Sequence, residues 1–223
     1  MIISHKNKFI FICNGKTGTT SIEKALASYD EMKDFYYHVP GLHVKKHLPP
    51  AVAKAYLPSE IWDTYFKFVF VRDPYDWVVS NWRFNFISPV FPIKASVRRP
   101  YLVPKYVRDY RRRLELHRKE KLDVDDIDFL YNHLKQFRAM PLADSYFQHS
   151  YVYDSDGRKM VDMVGRFESL KDDVEQVREK IGVDFELPHV NKTKRRDADS
   201  SLTAEGKARI RELWSRDFEL LGY

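Results

Sequence analysis

Residues Gly15-Lys16-Thr17-Gly18-Thr19-Thr20-Ser21 gather one lysine, two glycines and four hydroxyl side chains directly behind the apolar run Phe9 to Cys13. Such a set suits the binding of an anion. A helical pattern follows at once, with Ile22, Ala25, Leu26 and Tyr29 at spacings of three, four and seven. The arrangement is therefore strand, tight loop, helix N-terminus. Unpaired backbone N–H groups and the positive end of the helix dipole then face whatever sits in the loop. Lys16 adds a full charge, and Thr17, Thr19, Thr20 and Ser21 add donors. The expected ligand is a phosphate or a sulfate. A plain connection capped by a threonine would need neither the glycines nor the lysine.

The spacing speaks against a nucleoside triphosphate. Gly15-Lys16-Thr17 supplies the last three positions of G-x-x-x-x-G-K-[ST], but the first glycine would fall on Ile10, inside the strand. A second apolar run, Phe66 to Val71, is rich in aromatic and β-branched residues and reads as a buried strand. It ends at Arg72-Asp73-Pro74, where Asp73 suits an N-cap and Pro74 the first helical position. No acid suited to Mg²⁺ stands at that strand end. Ser80 lies eight residues beyond Arg72, about two helical turns on. A guanidinium fork with a supplementary hydroxyl suits a terminal phosphate. The alternative is that Arg72 pairs with Asp73 or Asp76 and Ser80 is an ordinary helix residue.

These two segments, in this order, resemble the sulfotransferases that use 3′-phosphoadenosine 5′-phosphosulfate. Lys16-Thr17-Gly18-Thr19-Thr20-Ser21 looks like their 5′-phosphosulfate loop. Phe68-Val69-Phe70-Val71-Arg72-Asp73-Pro74, with Ser80 following, looks like their 3′-phosphate motif. Val164 to Leu170, Leu187 to Lys192 and Asp217 to Tyr223 resemble later segments of the branch that includes carbohydrate sulfotransferases. The resemblance implies an α/β, P-loop-type three-layer fold with a central parallel sheet flanked by helices. It implies that Lys16, Thr17, Gly18, Thr19, Thr20, Ser21, Arg72 and Ser80 hold the donor, with Phe167 against its adenine or in the core. It also implies transfer without a metal to a small-molecule or saccharide acceptor, with adenosine 3′,5′-bisphosphate as product. A P-loop nucleotide-dependent kinase and a non-catalytic nucleotide-binding relative are the competing readings.

Sulfuryl transfer needs a base for the acceptor's proton and a cation for the transferring oxygens. Lys16 with the loop amides suits the second task. The family draws its base from the stretch between the two phosphate motifs, which here holds His38, His43 and His47. His47, preceded by Lys46, resembles the family position most closely and is the expected catalytic base beside catalytic Lys16. Glu60 is a further carboxylate in the same stretch.

The rest of the chain must position these groups. Its 223 residues, 43% hydrophobic and 31% charged, suit one α/β domain carrying an insert, and the family resemblance extends over 1–223. The insert, about 84–121, is basic and aromatic: from Lys94 to Lys121 there are eleven Lys and Arg against three acids. Prolines 92, 100 and 104 make its first part irregular, and Lys105 to Lys121 suits an exposed helix. That helix is either a solvated face or an acceptor-binding lid; an RNA-binding patch would use the same ingredients, but no nucleic-acid motif accompanies it. Phe129 to Phe137 reads as a short helix, and Tyr151 to Val164 as a hairpin around Asp156-Gly157. Leu170 to Ile181 reads as a helix ending at Gly182, and Ile210 to Leu221 as one amphipathic helix. Lys192, Lys194, Arg195 and Arg196 form a basic loop. The single cysteine, Cys13, excludes an internal disulfide and a cysteine metal cluster. No signal peptide or membrane span is evident, so a cytoplasmic enzyme is expected, and the net charge of +6 fits an anionic small molecule.

Overall fold

Alternation sorts the residues of the two central strands onto opposite faces of one sheet. In strand β2 (Phe9–Ile12), Phe9 and Phe11 face one way while Ile10 and Ile12 face the other. In β3 (Phe66–Val71), Phe68 and Phe70 join the first set, and Val69 and Val71 the second. Both strands are thus covered on both sides, as near-continuous apolar runs require. In a computed structural model describing residues 1–31, 47–86, 97, 100–140, 143–188 and 198–223, the sheet runs β1-β2-β3-β6. β6 is Met163–Arg166 and pairs parallel to β3, which pairs parallel to β2. The short strands β4 (Ala139–Met140) and β5 (Ala143–Asp144) form a separate two-stranded ribbon.

The expected α/β class with a central sheet between helices is what forms, with one addition. Strand β1 (Ile2–Ser4) runs antiparallel to β2 at the sheet edge. Its outer side is occupied by the turn after the first helix: Asp30 Oδ1 accepts from the Ile3 amide at 3.3 Å, and the Glu31 amide donates to the Ile3 carbonyl at 3.0 Å. That cover satisfies an edge that would otherwise offer bare backbone groups.

On the phenylalanine face lie α1 (Thr19–Leu26) and the later helix Leu170–Ile181, through Ile22, Leu26, Val174, Val177 and Ile181. On the other face α2 (Pro50–Tyr56) and α3 (Ser59–Thr64) contribute Val52, Ala53 and Trp62. A third cluster is mainly helical. It joins α4 (Pro74–Phe86) to later helices through Trp77, Trp82, Phe86, Ile127, Leu130, Ile210, Trp214 and Phe218. Those helices are α6 (Val124–Arg138), α9 (Ala204–Leu213) and α10 (Ser215–Leu221); the remaining α-helices among the described residues are α5 (Val103–Arg118), α7 (the Leu170–Ile181 helix) and α8 (Ala198–Ser201). No helix among the described residues is long and apolar enough to cross a membrane.

Two local expectations are corrected. The hairpin over Tyr151 to Val164 reduces to a single bridge, Tyr153 with Lys159. The amides of Tyr151, Val152 and Tyr153 are consumed by a 3₁₀ turn (His149–Tyr151), donating to the carbonyls of Gln148 and His149, so no ladder can form there. The single C-terminal helix is broken into α9 and α10 at fully buried Trp214, whose φ of −107° and ψ of 25° leave the helical region.

Candidate active site

The C-terminal ends of β2 and β3 lie side by side, because the strands are parallel and in register from Phe9–Phe66 to Ile12–Val69. The loop after β2 and the turn after β3 therefore open at the same edge of the sheet. Open α/β sheets place ligands in such crevices.

The first loop is held from inside. Buried Asn14 donates through Nδ2 to the Phe70 carbonyl at 3.1 Å and to Gln148 Oε1 at 3.3 Å. Its own carbonyl accepts from Thr17 Oγ1 at 2.8 Å and from the Thr19 hydroxyl. These two threonines thus shape the loop, their protons committed to Asn14, while Thr20 and Ser21 are half-buried on the first turn of α1. Trp77 Nε1 donates to the Gly15 carbonyl at 2.8 Å, which ties the loop to α4. Gly18 caps α1 in the left-handed region (φ 78°), and its carbonyl accepts from the Ser21 and Ile22 amides. A Cβ at Gly18 would lie 3.2 Å from Leu170 and 3.3 Å from Phe167. Lys16 is also left-handed, at φ 69°, a strained setting for a side-chain-bearing residue.

The cations sit around this loop. Lys16 Nζ lies 4.3 Å from the centre of the Phe84 ring. Burial, then the charges of Arg138 and Arg72, lower its pKa to about 8. Arg72 stacks its guanidinium on Phe167 at 4.3 Å, reaches the Lys16 carbonyl at 3.4 Å and pairs with Asp76 at 3.2 Å. Its Nε is buried and has no acceptor among the described residues. The pairing with Asp76, one of the two alternatives open in the sequence, is thus present, and it leaves part of the fork unused. Ser80 stands one turn beyond Asp76 on α4, half-buried on the same helix face. Asp73 caps α4 through the Asp76 amide (3.1 Å), and its carboxyl pKa is raised by burial and by the neighbouring Asp76 and Glu168. Phe167 offers the Arg72 guanidinium one ring face and lies against Gly18.

Gln148 was not singled out by the sequence, yet it fastens the two loops together. It is fully buried; Oε1 accepts from the Arg72 amide (3.0 Å) and Nε2 donates to the Arg72 carbonyl (2.7 Å), in addition to the contact with Asn14. Asp217, also fully buried, holds this segment by accepting from the Gln148 amide (3.0 Å), the His149 amide (2.8 Å) and His149 Nδ1 (2.6 Å). The signal available in the sequence was Asp217 within the terminal segment Asp217 to Tyr223; nothing marked Gln148.

His47 is brought to the loop. Its Nδ1 donates to the Cys13 carbonyl at 2.9 Å, which assigns the proton of the neutral ring to Nδ1 and the basic lone pair to Nε2. The ring also lies against Gly15, where a Cβ would meet it at 3.6 Å. Glu60 is exposed on α3, before the start of β3 and so at the opposite end of that strand from Arg72. His38, His43 and the basic loop of Lys192, Lys194, Arg195 and Arg196 lie outside the described residues. Within the insert, α5 begins at Val103 after a 3₁₀ turn (Pro100–Leu102), close to the expected helix. Among the described residues no group of three or more His, Cys, Asp or Glu could hold a metal ion.

The family model described as the sulfotransferase family matches residues 1–223. Curated relatives share the full length of the chain at low identity. They include carbohydrate sulfotransferase 10 of Xenopus laevis (23% over 240 residues, 67% of that protein) and of Homo sapiens (25% over 244 residues, 66%). The same protein of Gallus gallus is 26% identical over 249 residues, again 66% of its length. The chain thus spans about two thirds of the length of these relatives. No solved structure matches it.

Proposed function

The chain belongs to the sulfotransferase family, and on that premise we propose that it moves a sulfuryl group from 3′-phosphoadenosine 5′-phosphosulfate to a hydroxyl or amine of a saccharide. The observation that carries this reading is the pair of cations at neighbouring strand ends. Lys16 sits in a loop whose helix N-terminus favours an anion, and Arg72 keeps a buried Nε that has no acceptor among the described residues. Two separate anions suit a nucleotide phosphorylated at both 3′ and 5′ positions. Saccharide as acceptor follows the names of the relatives, carbohydrate sulfotransferases.

In this mechanism Arg72 and Ser80 hold the 3′-phosphate, and the loop amides with Lys16 take the 5′-phosphosulfate. His47 Nε2 receives the acceptor proton, the tautomer being fixed by the Cys13 carbonyl. The acceptor oxygen forms the new S–O bond as the S–O bond to the 5′-phosphate breaks, and that electron pair stays on the phosphate. Lys16 neutralises the charge left there.

Thermal unfolding with adenosine 3′,5′-bisphosphate, AMP, and ATP with Mg²⁺ tests the reading. The bisphosphate is expected to stabilise most, by about 2.7 kcal/mol at a hundredfold excess over its dissociation constant. A stronger effect of ATP with Mg²⁺ would point to a kinase and overturn it. His47→Ala is expected to keep bisphosphate binding and lose turnover.

A further inference from the structure

Arg138 ends helix α6 and directs its guanidinium toward the loop. Its Nη2 donates to Asn81 Oδ1 at 2.8 Å, and its Cζ lies 5.9 Å from the centre of the Trp77 ring. Asn81 is fully buried, and its amide nitrogen donates to the Trp77 carbonyl at 2.9 Å, which fixes the oxygen toward Arg138. Trp77 in turn holds the Gly15 carbonyl. Three contacts therefore connect the phosphate loop to this guanidinium.

Among the described residues the hydrogen-bond partners of Arg138 are all neutral. Among the described residues no carboxylate pairs with it or with Lys16. A guanidinium offers five donors, and among the described residues one neutral oxygen, Asn81 Oδ1, answers them. Its charge is felt at Lys16, and burial holds its own pKa below the usual arginine value. Two cations brought close together away from bulk water are unfavourable unless an anion joins them.

The position also lies toward His47. The Ser145 hydroxyl donates to the Arg138 carbonyl, and the Tyr151 hydroxyl lies 3.5 Å from the Ser145 carbonyl and 3.3 Å from the His47 carbonyl. The charge of Arg138 is felt at Lys16, where the 5′-phosphate would end, and at the Tyr151 phenol, whose hydroxyl reaches the carbonyl of His47, so the guanidinium lies near both the loop and the segment where an acceptor would lose its proton.

We infer that Arg138 is a second catalytic cation, which with Lys16 holds the oxygens of the sulfuryl group in transit. This rests on the function proposed above. As the S–O bond to the 5′-phosphate breaks and the S–O bond to the acceptor forms, the three oxygens on sulfur spread around a plane. One ammonium cannot serve all of them and the departing phosphate. A planar fork reaching in from the His47 side can take two.

The test uses the full chain and two ligands that differ only in the sulfuryl group. In Arg138→Met, which keeps the aliphatic stem, affinity for 3′-phosphoadenosine 5′-phosphosulfate is expected to fall about tenfold or more by calorimetric titration. Affinity for adenosine 3′,5′-bisphosphate is expected to stay within about twofold of wild type, which also reports that the variant folds. Arg138→Lys should recover part of the donor affinity, since it restores charge without the fork. An equal loss for both ligands would make Arg138 a prop of the loop and overturn the inference. So would an unchanged donor affinity, including one accompanied only by a raised acceptor KM. If Arg138→Met does not fold, Arg138→Lys decides alone: donor affinity must fall while bisphosphate affinity holds. Wild-type protein that binds neither ligand would instead sink the proposed function.

Discussion

Replacing Gln148 by leucine should separate the frame of the site from its charges. The substitution removes three hydrogen bonds with little change in volume. Asn14 Nδ2 keeps its contact with the Phe70 carbonyl. The Arg72 amide and carbonyl, bonded to Gln148 at 3.0 and 2.7 Å, lose their partners. Each buried backbone group left unsatisfied costs roughly 1 to 3 kcal/mol, so the pair costs roughly 2 to 6 kcal/mol. Set against the roughly 5 to 15 kcal/mol of a typical domain, that is a large fraction. Urea unfolding should show a lower midpoint with an unchanged slope. Ligand titration should show a second, more telling effect. Arg72 would lose the anchor on its main chain, so adenosine 3′,5′-bisphosphate should weaken more than AMP, which lacks the 3′-phosphate. Gln148→Glu retains acceptance from the Arg72 amide but sets a carboxylate against the Arg72 carbonyl, and it should weaken the bisphosphate further. A stability loss below about 1 kcal/mol, or equal weakening of AMP and bisphosphate, would refute the bridging role.

Lys16 should make bisphosphate binding pH-dependent: with its pKa lowered to about 8, the ammonium and the affinity it supplies are present below that value and decline as pH rises through it. Because the unfolded lysine holds its proton to higher pH, folding on this account strengthens from about pH 8 toward the ordinary lysine range, where a neutral replacement loses the part of its advantage that comes from the buried charge. Lys16→Gly, which relieves both the left-handed φ of 69° and the buried charge, should therefore raise the melting temperature at pH 7 while abolishing bisphosphate binding. A lower melting temperature would refute the strain argument. Gly18→Ala places a Cβ at φ 78° and within 3.3 Å of Phe167, so it should destabilise by about 1 to 2 kcal/mol and, by displacing Phe167 from Arg72, weaken the bisphosphate in the same titration.

The parts of this site that were legible in the sequence are those with a local signature. The loop at Lys16 shows itself as an apolar run ended by glycines and hydroxyls, and Asp73-Pro74 marks the start of α4 by capping chemistry. The strand run Phe66 to Val71 is visible because burial on both faces removes polar residues from it. What escaped depends on contacts across the chain. Gln148 answers the backbone of a residue 76 positions away, and neither charge nor periodicity announces that. Strand β1 is three residues long, too short for alternation to register, and its edge is completed by Asp30 and Glu31 from another turn. The break at Trp214 hides inside a continuous amphipathic pattern, because the same apolar spacing serves one helix or two. The threonines of the loop were legible as hydroxyls but not in orientation: Thr17 and Thr19 turn toward the Asn14 carbonyl, a partner set by the fold of the loop itself.

A feature shared by the three cations bears on how such a site stays both folded and receptive. Lys16 lies over Phe84 at 4.3 Å, Arg72 over Phe167 at 4.3 Å, and Arg138 beside Trp77 at 5.9 Å. An aromatic face holds a cation with about 0.5 to 1 kcal/mol at exposed sites, somewhat more where water is excluded. It fixes direction without cancelling charge. A carboxylate partner would hold each cation more firmly, and an arriving phosphate would then have to displace it or suffer its repulsion. Only Arg72 has such a partner among the described residues, Asp76, and there the fork retains a buried Nε with no acceptor. The rings thus orient Lys16 and Arg138 with no carboxylate partner among the described residues, so an anion can engage those two without first breaking an ion pair, and Arg72 through the part of its fork that Asp76 leaves unused. The same arrangement is felt at Lys16, whose pKa is lowered first by burial and then by Arg138 and Arg72, with no carboxylate paired to Lys16 among the described residues.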